Sequence, residues 1–145
     1  QPGFLPALRL RAEILAHGEK FSEAIASLKP IAEARPDDQA LQMQLGRYYL
    51  ANEQVDLAVA LCDKQLERRP DSANVLRLRG DAHLAVGRQA EALADYQAAL
   101  QHDPDNSGLL NNLAWVLATS PNDSVRDGKR AVKHASRAVE LTEEE

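Results

Sequence analysis

Pro36, Pro70 and Pro104 stand 34 residues apart, and Ala24, Ala58 and Ala92 keep the same step. Each proline is followed by an aspartate: Asp37, Asp71 or Asp105. A fixed period of this length constrains the chain more than any single residue does. It calls for a unit that recurs and leans on its neighbours, in place of one enclosed core. The 145 residues hold about four such units.

Aligned on the prolines, the units run over 5–38, 39–72, 73–106 and 107–142, within a single domain spanning 1–145. Each unit divides into two amphipathic stretches. In the second, Leu41, Leu45, Tyr48 and Tyr49 fall at helical spacing. A polar break at Asn52-Glu53-Gln54 follows, and Val55, Ala58, Val59, Cys62 and Leu66 form another stripe. The third unit has Val75, Leu76 and His83, a break at Gly87, then Ala90, Leu93, Tyr96, Ala99 and Leu100. Gly18 marks the same break in the first unit. The fourth carries an insertion of about five residues near 119–128 before its second stripe resumes at Ala131, Val132, Ala135, Ala138, Val139 and Leu141.

The punctuation has a physical basis. Proline cannot continue a helix and restricts the residue before it. The aspartate after it is expected to accept hydrogen bonds at the next helix start, and Asp71-Ser72-Ala73-Asn74 reads as such an N-cap. The recurring alanines mark points where two helix axes approach closely. With hydrophobic residues at 44% and aromatics at only 4%, alanine and leucine carry most of the packing, which suits thin, closely stacked helices.

Leu45-Gly46, Tyr49, Ala58 and Pro70, followed by Gly80, Ala92, Tyr96, Ala99 and Pro104 in the next unit, resemble the tetratricopeptide repeat family. The first unit keeps Leu8, Ala12, Ala24 and Pro36, and the fourth keeps Leu110, Leu113, Ala114 and Leu117, so the resemblance covers nearly all of the chain. It implies an all-α fold: a right-handed α-solenoid of about four helix–turn–helix repeats, with eight helices. It also implies a concave face lined by the first helix of each repeat, where family members commonly bind peptides. Arg11 and Arg79 depart from the pattern, standing where leucine is usual. Their stems are expected to pack while the guanidinium reaches water.

On that face one row reads Arg9, Met43, Arg77, Asn111; the next reads Glu13, Arg47, Asp81, Trp115; a third reads Leu10, Gln44, Leu78, Asn112. The candidate partner-binding residues are therefore Arg9, Glu13, Met43, Gln44, Arg47, Arg77, Asp81, Asn111, Asn112 and Trp115. Arg9 with Glu13, and Arg77 with Asp81, are i,i+4 pairs of about 0.3–0.5 kcal/mol each, and Arg47 is expected between Glu13 and Asp81. Two readings stay open: a solvated, self-compensating face, or a groove for an extended or helical partner segment whose carboxylate meets an arginine. Trp115 either packs on the insertion or a neighbouring helix, the more ordinary outcome for a lone apolar residue, or anchors a partner. Asn111 and Asn112 either bond a ligand backbone or satisfy the 120–128 loop.

The family's chaperone-tail binders carry a clamp of lysines, asparagines and arginine. The matching places here hold Arg9, Glu13, Gln44, Asn74 and Leu78, so binding of that kind is not expected. Of the asparagine ladder in the family's sugar-transferase arrays, only Asn112 matches.

Net charge is −5, and Glu143, Glu144 and Glu145 supply three of those charges. The near-balanced body does not suit a general nucleic-acid binder. No apolar run approaches the ~18 residues that cross a bilayer, so direct membrane insertion is not expected. Cys62 is the one cysteine and cannot form an internal disulfide, which leaves the compartment open between cytoplasm and periplasm. It is expected to be a buried, inert thiol. His17, His83, His102 and His134 lie at no metal-ligand spacing, and His83 takes a place usual for tyrosine, which points to packing. No Gly-rich phosphate loop is present, and no cofactor, metal or catalytic site is expected.

The expected function is thus a non-catalytic scaffold that binds a protein or peptide. Two alternatives are self-association through the uncovered stripe Val132, Ala135 and Val139, giving a homo-oligomer through terminal repeats, and a docking domain of a larger enzyme. The opening Gln1-Pro2-Gly3, with no initiator methionine, reads as a cut inside a longer protein.

Overall fold

A computed structural model describes residues 4–143. The opening Gln1-Pro2-Gly3 and the terminal Glu144 and Glu145 lie outside the described residues. Among the described residues the fold is all-α: α1 (Phe4–His17), α2 (Phe21–Ala34), α3 (Gln39–Ala51), α4 (Val55–Arg68), α5 (Ala73–Ala85), α6 (Gln89–His102), α7 (Ser107–Thr119) and α8 (Gly128–Glu143). Helices α3, α5 and α7 start at Gln39, Ala73 and Ser107, a constant step of 34 residues.

The turns explain that step. The backbone N–H groups of Asp38, Ser72 and Asn106 donate to the carbonyls of Arg35, Arg69 and Asp103 at 3.2, 3.3 and 3.3 Å. Each proline therefore occupies the second place of a four-residue turn, where its fixed φ fits. The last residue of the turn becomes the N-cap. Asp38 Oδ1 accepts from the N–H of Leu41 at 3.1 Å, and Asn106 Oδ1 from that of Leu109 at 2.9 Å. The caps thus fall two residues after the proline, not on the aspartate directly behind it. Asp105 instead accepts from Arg137 Nη2 of α8 at 2.9 Å.

The breaks inside the hairpins repeat as well. Glu19, Glu53 and Gly87 have φ of +57°, +58° and +74°. The next N–H closes each helix end: Lys20 to the Leu15 carbonyl at 2.9 Å, Gln54 to Tyr49 at 2.8 Å, and Arg88 to His83 at 2.9 Å. This is the left-handed C-terminal motif that glycine usually fills. In the first hairpin Gly18 lies in the break, directly after α1, and the left-handed residue is its neighbour Glu19.

The chain divides into two compact units, with the boundary inside α4 between Gln65 and Leu66. In the first, α2 packs on both α1 and α3. Ala12, Ala24, Leu28, Leu41, Leu45, Ala58 and Cys62 are buried. Gln42 Nε2 donates to the carbonyls of Ala32 at 2.7 Å and Arg35 at 3.0 Å, satisfying the C-terminal end of α2.

In the second unit α5 packs on α6, α6 on α7, and α7 on α8. The core joins Leu76, Ala92, Tyr96, Ala99, Leu109, Leu113, Val116, Leu117, Val125 and Ala131. Gly80 lies so close to Tyr96 that a Cβ there would come within 2.6 Å of Tyr96 Cε1. The inserted loop is tied down. Val125 reaches the core, Ser120 Oγ donates to Gln89 Oε1 at 3.0 Å, and the N–H of Asp127 donates to the Leu117 carbonyl at 2.8 Å. Arg126 also pairs with Asp123.

Arg79 corrects the expectation of a guanidinium in water. Its Nε and Nη2 donate to Asp95 Oδ2 and Oδ1 at 2.9 and 2.6 Å, and Asp95 is only 5% exposed. A buried carboxylate on α6 replaces the hydration that the sequence position alone suggested. His83 Nε2 stands 3.6 Å from the same carboxylate, with its Nδ1 buried and unpartnered. Arg11 is exposed.

A candidate partner-binding groove

In the second unit α5, α6 and α7 enclose an open groove of about 440 Å³. Its lining is Asp81, Leu84 and Ala85 from α5, Tyr96 from α6, and Asn111, Asn112 and Trp115 from α7. Helical spacing brings each set together. Asp81, Leu84 and Ala85 are i, i+3 and i+4, and so are Asn111 or Asn112 with Trp115.

Asp81 forms the floor. Its Oδ1 accepts from the hydroxyl of Tyr96 at 2.5 Å and from Asn112 Nδ2 at 3.2 Å. Burial pushes the carboxyl above its usual range, against the opposing pull of Tyr96, Arg77 and Asn112. Burial and the bond to Asp81 together hold the Tyr96 phenol well above its ordinary value, so it remains a donor.

Several expectations are revised here. Asn112 reaches back to the preceding repeat's Asp81 and not to the 120–128 loop. The loop instead bonds itself and Gln89. Trp115 does not pack away: it is 54% exposed, on the groove wall. Arg77 and Asp81 form no ion pair. The Arg77 guanidinium lies over Gly108, where a Cβ would come within 3.1 Å of its Nη1. A larger residue at the start of α7 would require that side chain to shift. Asn111 is exposed beside Trp115. Tyr96, Leu84 and Ala85 were not among the sequence candidates. Tyr96 reads as core and is fully buried, and its hydroxyl donates to the groove's Asp81. Leu84 and Ala85 were available from their helical spacing to Asp81.

In the first unit the candidates make a local network. Arg9 Nε donates to Gln44 Oε1 at 3.1 Å and lies 3.7 Å from Glu13 Oε1. Gln44 Nε2 donates to Glu13 Oε1 at 3.3 Å and to the Tyr48 hydroxyl at 2.9 Å. Gln44 is buried and engaged; Met43 is half-buried, and Arg47 is exposed. Among the described residues no cluster of three or more His, Cys, Asp or Glu is placed to hold a metal, and no helix is long and apolar enough to cross a membrane. Cys62 is buried.

Comparison with known proteins agrees with this architecture. The tetratricopeptide repeat family model matches residues 9–73, 43–107 and 77–142. The human FK506-binding protein-like protein is 33% identical over 87 residues, covering 60% of this chain and 25% of that protein. The Hsp70-Hsp90 organizing protein of Triticum aestivum is 30% identical over 125 residues, covering 84% of this chain and 22% of its own length. The chain thus spans about a quarter of the length of these curated relatives. Among solved structures, MamA 41-end from Desulfovibrio magneticus RS-1 superposes with a TM-score of 0.76 at 20% identity, over 95% of this chain and 75% of that one. MamA AMB-1 gives 0.73 at 24% identity, over 95% and 79%. These likenesses place the chain in the same all-helical repeat fold. With three overlapping matches that together run from residue 9 to residue 142, the chain belongs to the tetratricopeptide repeat family.

Proposed function

We propose that this chain is a non-catalytic protein-interaction module that holds a segment of a partner protein in the groove of its second unit. The observation that carries the reading is Trp115, a large aromatic 54% exposed on the wall of a preformed groove. Buried tryptophans at interfaces are among the strongest anchors, so leaving one half in water is a cost that a bound partner would remove. Asn111 beside it offers hydrogen bonds to an extended backbone. Arg77 and, in the first unit, Arg9 and Arg47 supply flanking charge. Family membership supports protein partners over small substrates. The test is capture of partners from a lysate by the wild-type chain and by Trp115→Ala. Partners lost in the variant, with an unchanged melting temperature, support the groove; the same partners at the same yield move the site elsewhere.

A second reading is self-association. Val132 and Val139 on α8 are 67% and 53% exposed, with Ala135 between them on the same exposed face. On α1, Leu10 and Ile14 are exposed, whereas Leu78 and Ala82, at the same repeat positions, are buried. Light scattering across a concentration series separates the readings: a constant monomer mass at high concentration removes this one.

A further inference from the structure

We propose that the groove of the second unit selects its partner segment through a basic side chain, with the cationic head on Asp81 and the aliphatic stem along Trp115 and Leu84. This rests on the groove reading above and adds the chemistry of the occupant.

The polar atoms of the groove are unequal. Tyr96 donates its hydroxyl, and Asn112 one of its two amide N–H groups, to Oδ1 of Asp81. Oδ2 receives neither, and the side-chain carbonyl of Asn112 is likewise an acceptor. Beside the asparagine amides, the floor thus presents the Asp81 carboxylate with Oδ2 open to a further donor, and none of the lining residues is a cation. Arg77, one turn before Asp81 on the same helix, has its guanidinium beside Gly108 and interacts with the carboxylate through its field, without an ion-pair contact. Its field favours the charged carboxylate from a distance, while burial opposes that charge.

Around this charge the walls are apolar or aromatic. Leu84 and Ala85 stand on one side and the half-exposed Trp115 on the other. An ammonium or guanidinium at the end of a three- or four-carbon stem matches both features. The head gains a charge-assisted hydrogen bond in a partly dry site. The stem buries apolar surface against the ring, and the cation lies within reach of the indole face. A carboxylate would meet Asp81 with like charge. A neutral amide would leave that charge uncompensated.

The test uses the full chain and pools of acetylated, amidated octapeptides lacking tryptophan. One central position is fixed as Lys, Arg, Gln, Leu or Glu, and the others are degenerate. Binding is read from the fluorescence of Trp115, the sole tryptophan. The Lys and Arg pools are expected to bind at least tenfold more tightly than the Gln and Glu pools, and Asp81→Asn is expected to abolish that preference. Rising salt should narrow the difference on the wild-type chain, which keeps the test decisive even if the variant fails to fold. Equal binding of all pools, or preference for Glu, overturns the basic-residue assignment and leaves the groove standing. If no pool perturbs Trp115, the groove reading falls with it.

Discussion

Tyr96 and Asp81 are joined across the hairpin of α5 and α6 by a hydrogen bond of 2.5 Å from the phenol to the carboxylate. The bond ties the fully buried core of the second unit to the floor of its groove. Tyr96→Phe keeps the ring and removes the donor. A hydrogen bond to a charged group is worth about 1.5–3 kcal/mol, so denaturant unfolding should show a loss of that order. The Asp81 carboxyl, deprived of one of the bonds that lower its pKa, should titrate higher in the variant by carbon NMR. A lower titration in Tyr96→Phe would contradict the geometry.

The raised pKa of Asp81 carries a sign. In the folded state this carboxyl binds its proton more readily than in the unfolded chain. Its contribution is fully present below the unfolded pKa and is lost as pH rises through the raised folded value. The groups facing it are Tyr96 on α6, Asn112 on α7 and Arg77 on its own helix. Stability measured from about pH 7 down to about pH 3 should therefore rise for the wild type relative to Asp81→Asn. The comparison between the two cancels the other carboxylates. A difference that stays flat with pH would refute the assignment.

Arg79 and Asp95 form the buried ion pair of the α5–α6 hairpin. Restoring the family's usual leucine with Arg79→Leu removes the bidentate partner of a carboxylate that is 5% exposed and leaves His83 Nε2, 3.6 Å away, beside it. The expected cost is about 3–5 kcal/mol. The double variant Arg79→Leu, Asp95→Ala should recover much of that loss, because no charge is then left buried alone. If the two single losses simply add in the double variant, the pair is not coupled.

Glu53 occupies a left-handed backbone position that Gly87 fills in the next repeat. A residue with a Cβ is strained there by about 1–2 kcal/mol. Glu53→Gly is expected to raise stability by about 0.5–1 kcal/mol once the added freedom of the unfolded chain is deducted, and Gly87→Ala to lower it by about 1 kcal/mol. Thermal melts of the two variants should move in opposite directions.

Gly80 has a different reason to be glycine. It lies inside α5, where alanine would gain about 1 kcal/mol from helix propensity. A Cβ there would meet Tyr96 Cε1 at 2.6 Å and Cδ1 at 2.8 Å, and that ring is fully enclosed. Overpacking outweighs the propensity gain, so Gly80→Ala should destabilise by about 1–2 kcal/mol. A stabilised variant would mean that the ring can move.

The period of the chain was enough to determine the helices. Prolines at a constant step, stripes at helical spacing and buried alanines are local or periodic properties, and they specify all-α repeats without knowledge of contacts. The sequence narrows each cap to two adjacent polar residues after the proline and does not choose between them. The geometry of the turn, not the residue type, selects Asp38 over Asp37 and Asn106 over Asp105. The left-handed position at Glu19 was hidden for a similar reason: its neighbour Gly18 carries the composition signal while Glu19 carries the φ.

The groove needed the tertiary structure. Spacing placed Asp81, Asn112 and Trp115 in rows, but whether a side chain in a row faces a neighbour or the solvent depends on residues many positions away. Asp81 turns to Tyr96, 15 residues on, and to Asn112, 31 residues on. Arg79 finds Asp95 in place of water. A periodic sequence dictates what repeats. The partners of its irregular polar residues are decided by which charge is buried and which donors can reach it.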